Sequence, residues 1–129
     1  VIVISKTIEF SASHQLTRLA PEHQCARLHG HNYTVEIDLR GHELDQFNML
    51  VDYGVLSSVI KTRFEHRHLN DDADLGDQPT AELLASLIAQ IIGAQLLAPL
   101  NVERGAGAEI TVTRVRVSET ASSWAEWRA

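Results

Sequence analysis

Apolar and polar residues alternate from Ile8 to His14: Ile8, Phe10, Ala12 and His14 fall in one phase, Glu9, Ser11 and Ser13 in the other. A period of two belongs to a strand with one buried face. The alternation returns further on, where His29, His31, Tyr33, Val35, Ile37 and Leu39 oppose Gly30, Asn32, Thr34, Glu36, Asp38 and Arg40. This predicts a second strand, antiparallel to the first, with a loop from Gln15 to Leu28 between them. The spacing then becomes helical. Val55, Leu56, Val59, Ile60 and Phe64 predict a helix within 51–64, capped by Asp52. Residues 65–72 form a polar connection. Pro79-Thr80 opens a second helix, with Thr80 as its cap and Glu82 near the positive end of the dipole. Its expected buried stripe is Leu83, Leu84, Leu87, Ile88, Ile91, Ile92 and Leu96. After a turn at Gly105–Gly107, Ile110, Val112, Val115 and Val117 predict a third strand, and the phase slip at Thr113-Arg114 predicts a bulge. Glu119 is in phase with Val115 and Val117, and a short last strand takes in Trp124 and Trp127. Strands and helices are segregated along the chain. The expected class is therefore α+β, with both helices covering one face of an antiparallel sheet.

The length of 129 residues predicts one domain, 1–129, and 44% hydrophobic residues are enough for a core. A net charge of -6 gives no footprint for nucleic acid or an anionic membrane. The longest apolar helical segment, Leu83–Leu97, is broken by Ser86, Gln90, Gly93 and Gln95 and is expected to be too short and too polar to span a bilayer. A single cysteine allows no intrachain disulfide, and no basic leader precedes the apolar start VIVISK. The expectation is a cytoplasmic protein with no nucleic-acid or membrane partner.

Candidate chemistry concentrates in Cys25-Ala26-Arg27-Leu28-His29-Gly30-His31. His29 and His31 share a strand face, and His14 lies in phase on the preceding strand. Three imidazoles around one metal leave a fourth position open, as in a catalytic zinc site. Copper, iron and nickel also suit imidazole, and an HGH run can simply mark a bulge. Cys25 has three open readings: a buried inert thiol, a fourth ligand closing a structural site, or a thiolate base favoured by the metal or by Arg27. Glu65 could orient His66 for proton transfer, although His66 and His68 also fit a solvated helix end. Glu119 continues an apolar face, and a buried carboxylate there requires donors. A ligand edge with two adjacent N–H groups would supply them.

Beyond this run the chain carries F-S-A-S-H-Q-L at 10–16, C-A-R-L-H-G-H-N-Y at 25–33, V-D-Y at 51–53, F-E-H-R-H-L-N-D at 64–71, P-T-A-E at 79–82 and V-S-E-T at 117–120. In this order the motifs resemble the 6-pyruvoyl-tetrahydropterin synthase / 6-carboxytetrahydropterin synthase family, over nearly the whole chain. The resemblance implies a tunnelling fold, a four-stranded antiparallel sheet with two helices. Three subunits would close a β-barrel, two trimers would stack into a homohexamer, and active sites would lie between subunits. It implies Zn2+ on His14, His29 and His31, Cys25 as catalytic base, and Glu65-His66 in place of the family's Asp-His pair. It further implies that Glu119 anchors the pterin and that Thr80 lies near it. Arg27 is a candidate for the triphosphate. The main departure is Glu65, one methylene longer than the family's aspartate. Three residues separate Cys25 from the HGH run, the spacing of the carboxy branch; the pyruvoyl branch has five. The implied reaction converts 7,8-dihydroneopterin triphosphate to 6-carboxy-tetrahydropterin, acetaldehyde and triphosphate, feeding queuosine or another 7-deazapurine. The competing readings are the pyruvoyl activity and a non-catalytic zinc- or pterin-binding protein.

Overall fold

The computed structural model describes residues 1–129. Two long strands, β1 (Ile2–His14) and β2 (His29–Gly41), pair antiparallel along their whole length, from Ile2 opposite Gly41 to His14 opposite His29. β1 extends six residues ahead of the Ile8 start that the alternation marked. Helix α1 (Tyr53–Phe64) follows, with the Asp52 carboxylate accepting from Gly54 N–H at 2.8 Å. Helix α2 (Ala81–Ile91) begins where Thr80 Oγ1 accepts from Leu83 N–H at 3.2 Å. Strands β4 (Thr111–Thr120) and β5 (Ser123–Arg128) complete the chain. The expected bulge is present: β2–β4 pairing shifts between Asp38 and Leu39, opposite Thr113.

Two expectations are corrected. The sheet has five strands, not four, and it is mixed, not purely antiparallel. A two-residue strand, β3 (Arg67–His68), pairs parallel with Ala12-Ser13 of β1, giving the order β3-β1-β2-β4-β5. It lies inside the segment expected to be only a polar connection. Two residues carry no periodicity, so only the long-range pairing reveals them.

The second helix is also longer than its apolar stripe suggested. α2 runs without a break into a π turn (Ile92–Leu97) and then into α3 (Ala98–Arg104). Pro99 cannot donate an N–H to the turn before it, and its ring crowds that turn; the wider π geometry accommodates it. The resulting 24-residue run, Ala81–Arg104, is long and apolar enough to cross a bilayer by length and composition, contrary to the expectation for 83–97. Its apolar face is instead packed on the sheet. Leu84, Leu87, Ile88, Ile91, Ile92 and Leu97 are buried in one core with Ile8, Phe10, Tyr33, Val35, Ile37, Val115 and Val117. Leu56, Ile60 and Phe64 of α1 join the same core, so both helical segments cover one sheet face. Leu83 and Val55, assigned to the buried stripes, are each 40% exposed.

The opposite sheet face is polar and is tied by charge. Arg114 reaches Asp38 at 2.8 Å and Glu126 at 3.0 Å, and Arg116 reaches Glu126 at 2.9 Å while stacking on the Trp124 ring at 3.8 Å. Arg114, and then Arg116 and Arg128, hold the Glu126 carboxyl down at about 2.

Gly93 sits in the π turn with nothing within 4 Å of where a Cβ would stand. A helical glycine with free space costs roughly 0.5–1 kcal/mol relative to alanine, largely through unfolded-chain entropy. Gly93→Ala should therefore raise the unfolding free energy by about that amount, read as a higher urea midpoint at unchanged slope. An unchanged or lower midpoint would mean that the turn needs glycine.

Candidate metal and ligand site

The site is built from strand periodicity. His14 ends β1, and His29 and His31 begin β2, with His14 directly opposite His29 and Ala12 opposite His31. All three rings project from the buried face. One ligand nitrogen from each lies within 4.8 Å of the others, and His14 Nε2 stands 2.8 Å from His29 Nε2. Ligands at about 2.0–2.1 Å on a tetrahedron stand roughly 3.3 Å apart, within the spread of these nitrogens.

The outer hydrogen bonds show what these nitrogens face. His14 Nδ1–H donates to the Pro79 carbonyl at 2.8 Å, and His29 Nδ1–H donates to the Arg27 carbonyl at 2.7 Å. A carbonyl only accepts, so both rings carry their proton on Nδ1 when neutral and turn their Nε2 lone pairs toward each other. Two lone pairs at that distance repel unless a cation lies between them. Burial pushes the His14 pKa down, outweighing the Pro79 carbonyl, so a shared proton is disfavoured. His31 Nε2 is buried with no hydrogen-bond partner, and burial lowers the His31 pKa while Glu119 opposes it. A metal ion accepting three lone pairs satisfies every one of these groups. The carbonyls that orient His14 and His29 act as partners to metal-ligating imidazoles commonly do.

Glu119 closes this face from β4. Its Oε2 is 3.7 Å from His31 Nε2, and its side chain is 25% exposed. No donor in the chain hydrogen-bonds to it. The Tyr33 hydroxyl, buried beneath, reaches His14 Nδ1 at 3.3 Å, and burial together with Glu119 pushes its pKa far up.

Cys25 lies at the centre of a three-residue 3-10 turn, Gln24–Ala26, and is half-buried. Its sulfur is not one of the convergent ligand atoms. The loop that carries it is clamped at its start: Asn70 exchanges two hydrogen bonds with the Gln15 backbone, at 2.9 and 2.7 Å, and Thr17 bonds to the Asp77 carbonyl. Arg27 contributes its carbonyl to His29; its side chain is exposed and makes no ion pair.

Glu65 and His66 meet at the β1 edge. Glu65 Oε1 lies 3.0 Å from His66 Nε2, so the longer side chain still reaches its histidine, and the same oxygen accepts from Ser11 N–H at 3.4 Å. His66 adopts φ 57°, a left-handed conformation that histidine tolerates better than branched residues, and its N–H donates to the Ser11 carbonyl at 2.7 Å. The His66 ring is 80% exposed, and no hydrogen bond or ion pair joins Glu65 or His66 to the three histidines. His66 borders an open cleft of about 580 Å³ that also takes in Ser11, Ser13, His31, Asn32 and His68. Thr80, beside Pro79, has its oxygen engaged in the α2 cap. The structure thus gathers His14, His29, His31 and Glu119 on one face, holds Cys25 in the adjoining loop, and sets Glu65 and His66 at the sheet edge. Missed from sequence were the Pro79 and Arg27 carbonyls, which carry no side-chain signal, and the Ser13–His68 hydrogen bond at 2.9 Å.

Residues 3–129 match the family model for 6-pyruvoyl tetrahydropterin synthase. A 6-carboxy-5,6,7,8-tetrahydropterin synthase from Bacillus subtilis (strain 168) is 32% identical over 97% of this chain and 84% of its own length. A protein of Archaeoglobus fulgidus named as a putative synthase of the same kind is 29% identical over 98% of this chain and 96% of its own. Among solved structures, 6-pyruvoyl tetrahydropterin synthase from Caenorhabditis elegans superposes with a TM-score of 0.74 at 22% identity, covering 99% of this chain and 95% of that one. The fold, the three-histidine face and the near-complete match agree: this chain belongs to the 6-pyruvoyl tetrahydropterin synthase family, an enzyme family acting on pterins, with relatives named as 6-carboxy-tetrahydropterin synthases.

Proposed function

We propose that this chain is a zinc-dependent 6-carboxytetrahydropterin synthase. Its substrate would be 7,8-dihydroneopterin triphosphate, and its products 6-carboxy-tetrahydropterin, acetaldehyde and triphosphate, supplying synthesis of queuosine or another 7-deazapurine. The observation that carries the proposal is one sheet face bearing both a three-imidazole ligand set and a carboxylate without a donor of its own. The first suits a Lewis acid and the second suits the pyrimidine edge of a pterin. The three-residue gap between Cys25 and His29 and the names of the relatives favour the carboxy branch.

Bound zinc would supply Lewis acidity to the two side-chain hydroxyls of the substrate. Glu119 accepts hydrogen bonds from the 2-amino group and the adjacent ring N–H, fixing the ring. Cys25, as thiolate, takes a proton from the side chain. His66, oriented by Glu65, takes or returns a proton as triphosphate departs and the carbon–carbon bond breaks. Thr80 and Arg27 are assigned to the pterin and the triphosphate. The exposure of the His66 ring supports sites completed by a neighbouring subunit. Edge strands β3 and β5 leave the sheet open at both ends, which supports closure of a barrel by trimers and stacking into a homohexamer.

Incubation of the zinc-loaded protein with dihydroneopterin triphosphate and mass analysis of the products tests the proposal. Acetaldehyde with the carboxy product is the expected result. Triphosphate release without carbon–carbon cleavage would assign the pyruvoyl activity, and no turnover would leave a binding protein.

Three further outcomes are expected. Cys25→Ala should lower kcat by roughly 10²–10⁴-fold, the usual worth of a general base, and retain one metal per chain, whereas His29→Ala should lose the metal. Metal lost from Cys25→Ala, or near-normal turnover in it, would remove the cysteine from that role. Glu119→Gln should weaken binding of a non-reactive pterin by roughly ten- to a hundredfold in titration calorimetry, since charged hydrogen bonds are worth about 1.5–3 kcal/mol each. Unchanged affinity would place the anchor elsewhere. Sedimentation at micromolar concentration should show a trimer or hexamer, and a fully active monomer would contradict shared sites.

A further inference from the structure

The turn that presents Cys25 is held by an unusual cap. His23 precedes the Gln24–Ala26 turn in an extended conformation, φ -69° and ψ 132°, and its ring Nδ1 accepts the backbone N–H of Cys25 at 3.0 Å. The N-cap role falls more often to serine, threonine, asparagine or aspartate. Accepting at Nδ1 places the neutral ring's proton on Nε2. The Cys25 carbonyl is bonded as well, accepting from Leu16 N–H at 3.0 Å. Leu16 is two residues beyond His14, so one peptide group of Cys25 is tied to the metal-face strand and the other to the His23 ring. The His23 carbonyl also accepts from Ala26 N–H at 3.0 Å, closing the turn around the cysteine. These two peptide planes set the direction of the Cys25 Cα–Cβ bond. The flanking chain, His23, Gln24, Arg27 and Leu28, is exposed and offers no apolar packing to do the same work.

We infer that His23 is a positioning residue: its Nδ1 lone pair fixes the peptide of Cys25 and so aims the thiol at the metal face. The inference rests on Cys25 acting in the proposed reaction. A base must stand within about half an ångström of its working position to be effective. Without the imidazole acceptor, the Cys25 N–H turns to water and the three-residue turn frays, while the histidine ligands and Glu119 on the strands stay in place.

The test compares wild type, His23→Ala and His23→Asn as zinc-loaded full-length protein. Asparagine keeps an acceptor at a capping position; alanine does not. Two readouts are taken: steady-state turnover, and the rate at which iodoacetamide alkylates Cys25, the single cysteine of the chain, followed by intact mass. His23→Ala should lower kcat by roughly three- to tenfold, the scale of one hydrogen bond, with KM and metal content unchanged. It should also speed alkylation by a similar factor, because a half-buried thiol is released. His23→Asn should return both toward wild type. Slower turnover with faster alkylation separates misplacement of the thiol from general loss of fold. Wild-type values for both readouts in His23→Ala would overturn the inference, as would His23→Asn behaving like His23→Ala. If Cys25→Ala kept its turnover, the proposed base would fail, yet the alkylation rates would still report whether His23 holds the turn.

Discussion

The pairing of His14 with His29 across β1 and β2 is the constraint on which the site depends. Residues opposite each other in an antiparallel pair project side by side from the same face, and the residue two further on shares it. That register brings His14, His29 and His31 together without any contribution from loops. A slip of one residue would turn His14 to the wrong face or send His29 and His31 to the polar side. The register is well defended. Ile8, Phe10, Tyr33, Val35 and Ile37 are buried on one face, and a slip would expose them all.

The rest of the molecule keeps that face closed and that end of the sheet fixed. α1 and α2 cover the apolar side, and the Thr80 cap that starts α2 leaves the neighbouring Pro79 carbonyl on His14. Helix start and imidazole orientation are thus two consequences of one short segment. On the polar side, Arg114 and Arg116 join β2, β4 and β5 through Asp38 and Glu126. That network fixes β4 against β2 and thereby brings Glu119 to His31. These ion pairs are partly solvated, and their weight lies in geometry more than in stability.

Cys25 is held by a different kind of structure. The histidines and Glu119 sit on strands whose ladders fix them, but the cysteine rides on a loop. Loop residues need local tethers, and here they are the clamps at Gln15 and Thr17, the Leu16 hydrogen bond and the His23 ring. The Glu65–His66 pair is positioned by yet another means, a left-handed residue that turns the chain into the short parallel strand β3.

Strand phase, helix caps and the bulge are local properties, and the sequence by itself determined them. Alternation placed His14, His29, His31 and Glu119 on one face; Asp52 and Thr80 marked the helix starts; the slip at Thr113-Arg114 marked the bulge. The order of motifs carried the family and the pterin chemistry expected of it. What the tertiary structure decided were distances between segments far apart in the chain. Only the fold shows that His14 Nε2 meets His29 Nε2, that Glu65 spans its extra methylene to His66, and that Cys25 stays outside the ligand group. It also made a parallel strand of two residues too few to show a period, and ran the second helix through a π turn to Arg104. Periodicity fixes which way a side chain points, because that depends on its neighbours in the chain. Which atoms it meets depends on segments 50 or more residues away, such as the Pro79 carbonyl on His14, and no local pattern encodes that closure.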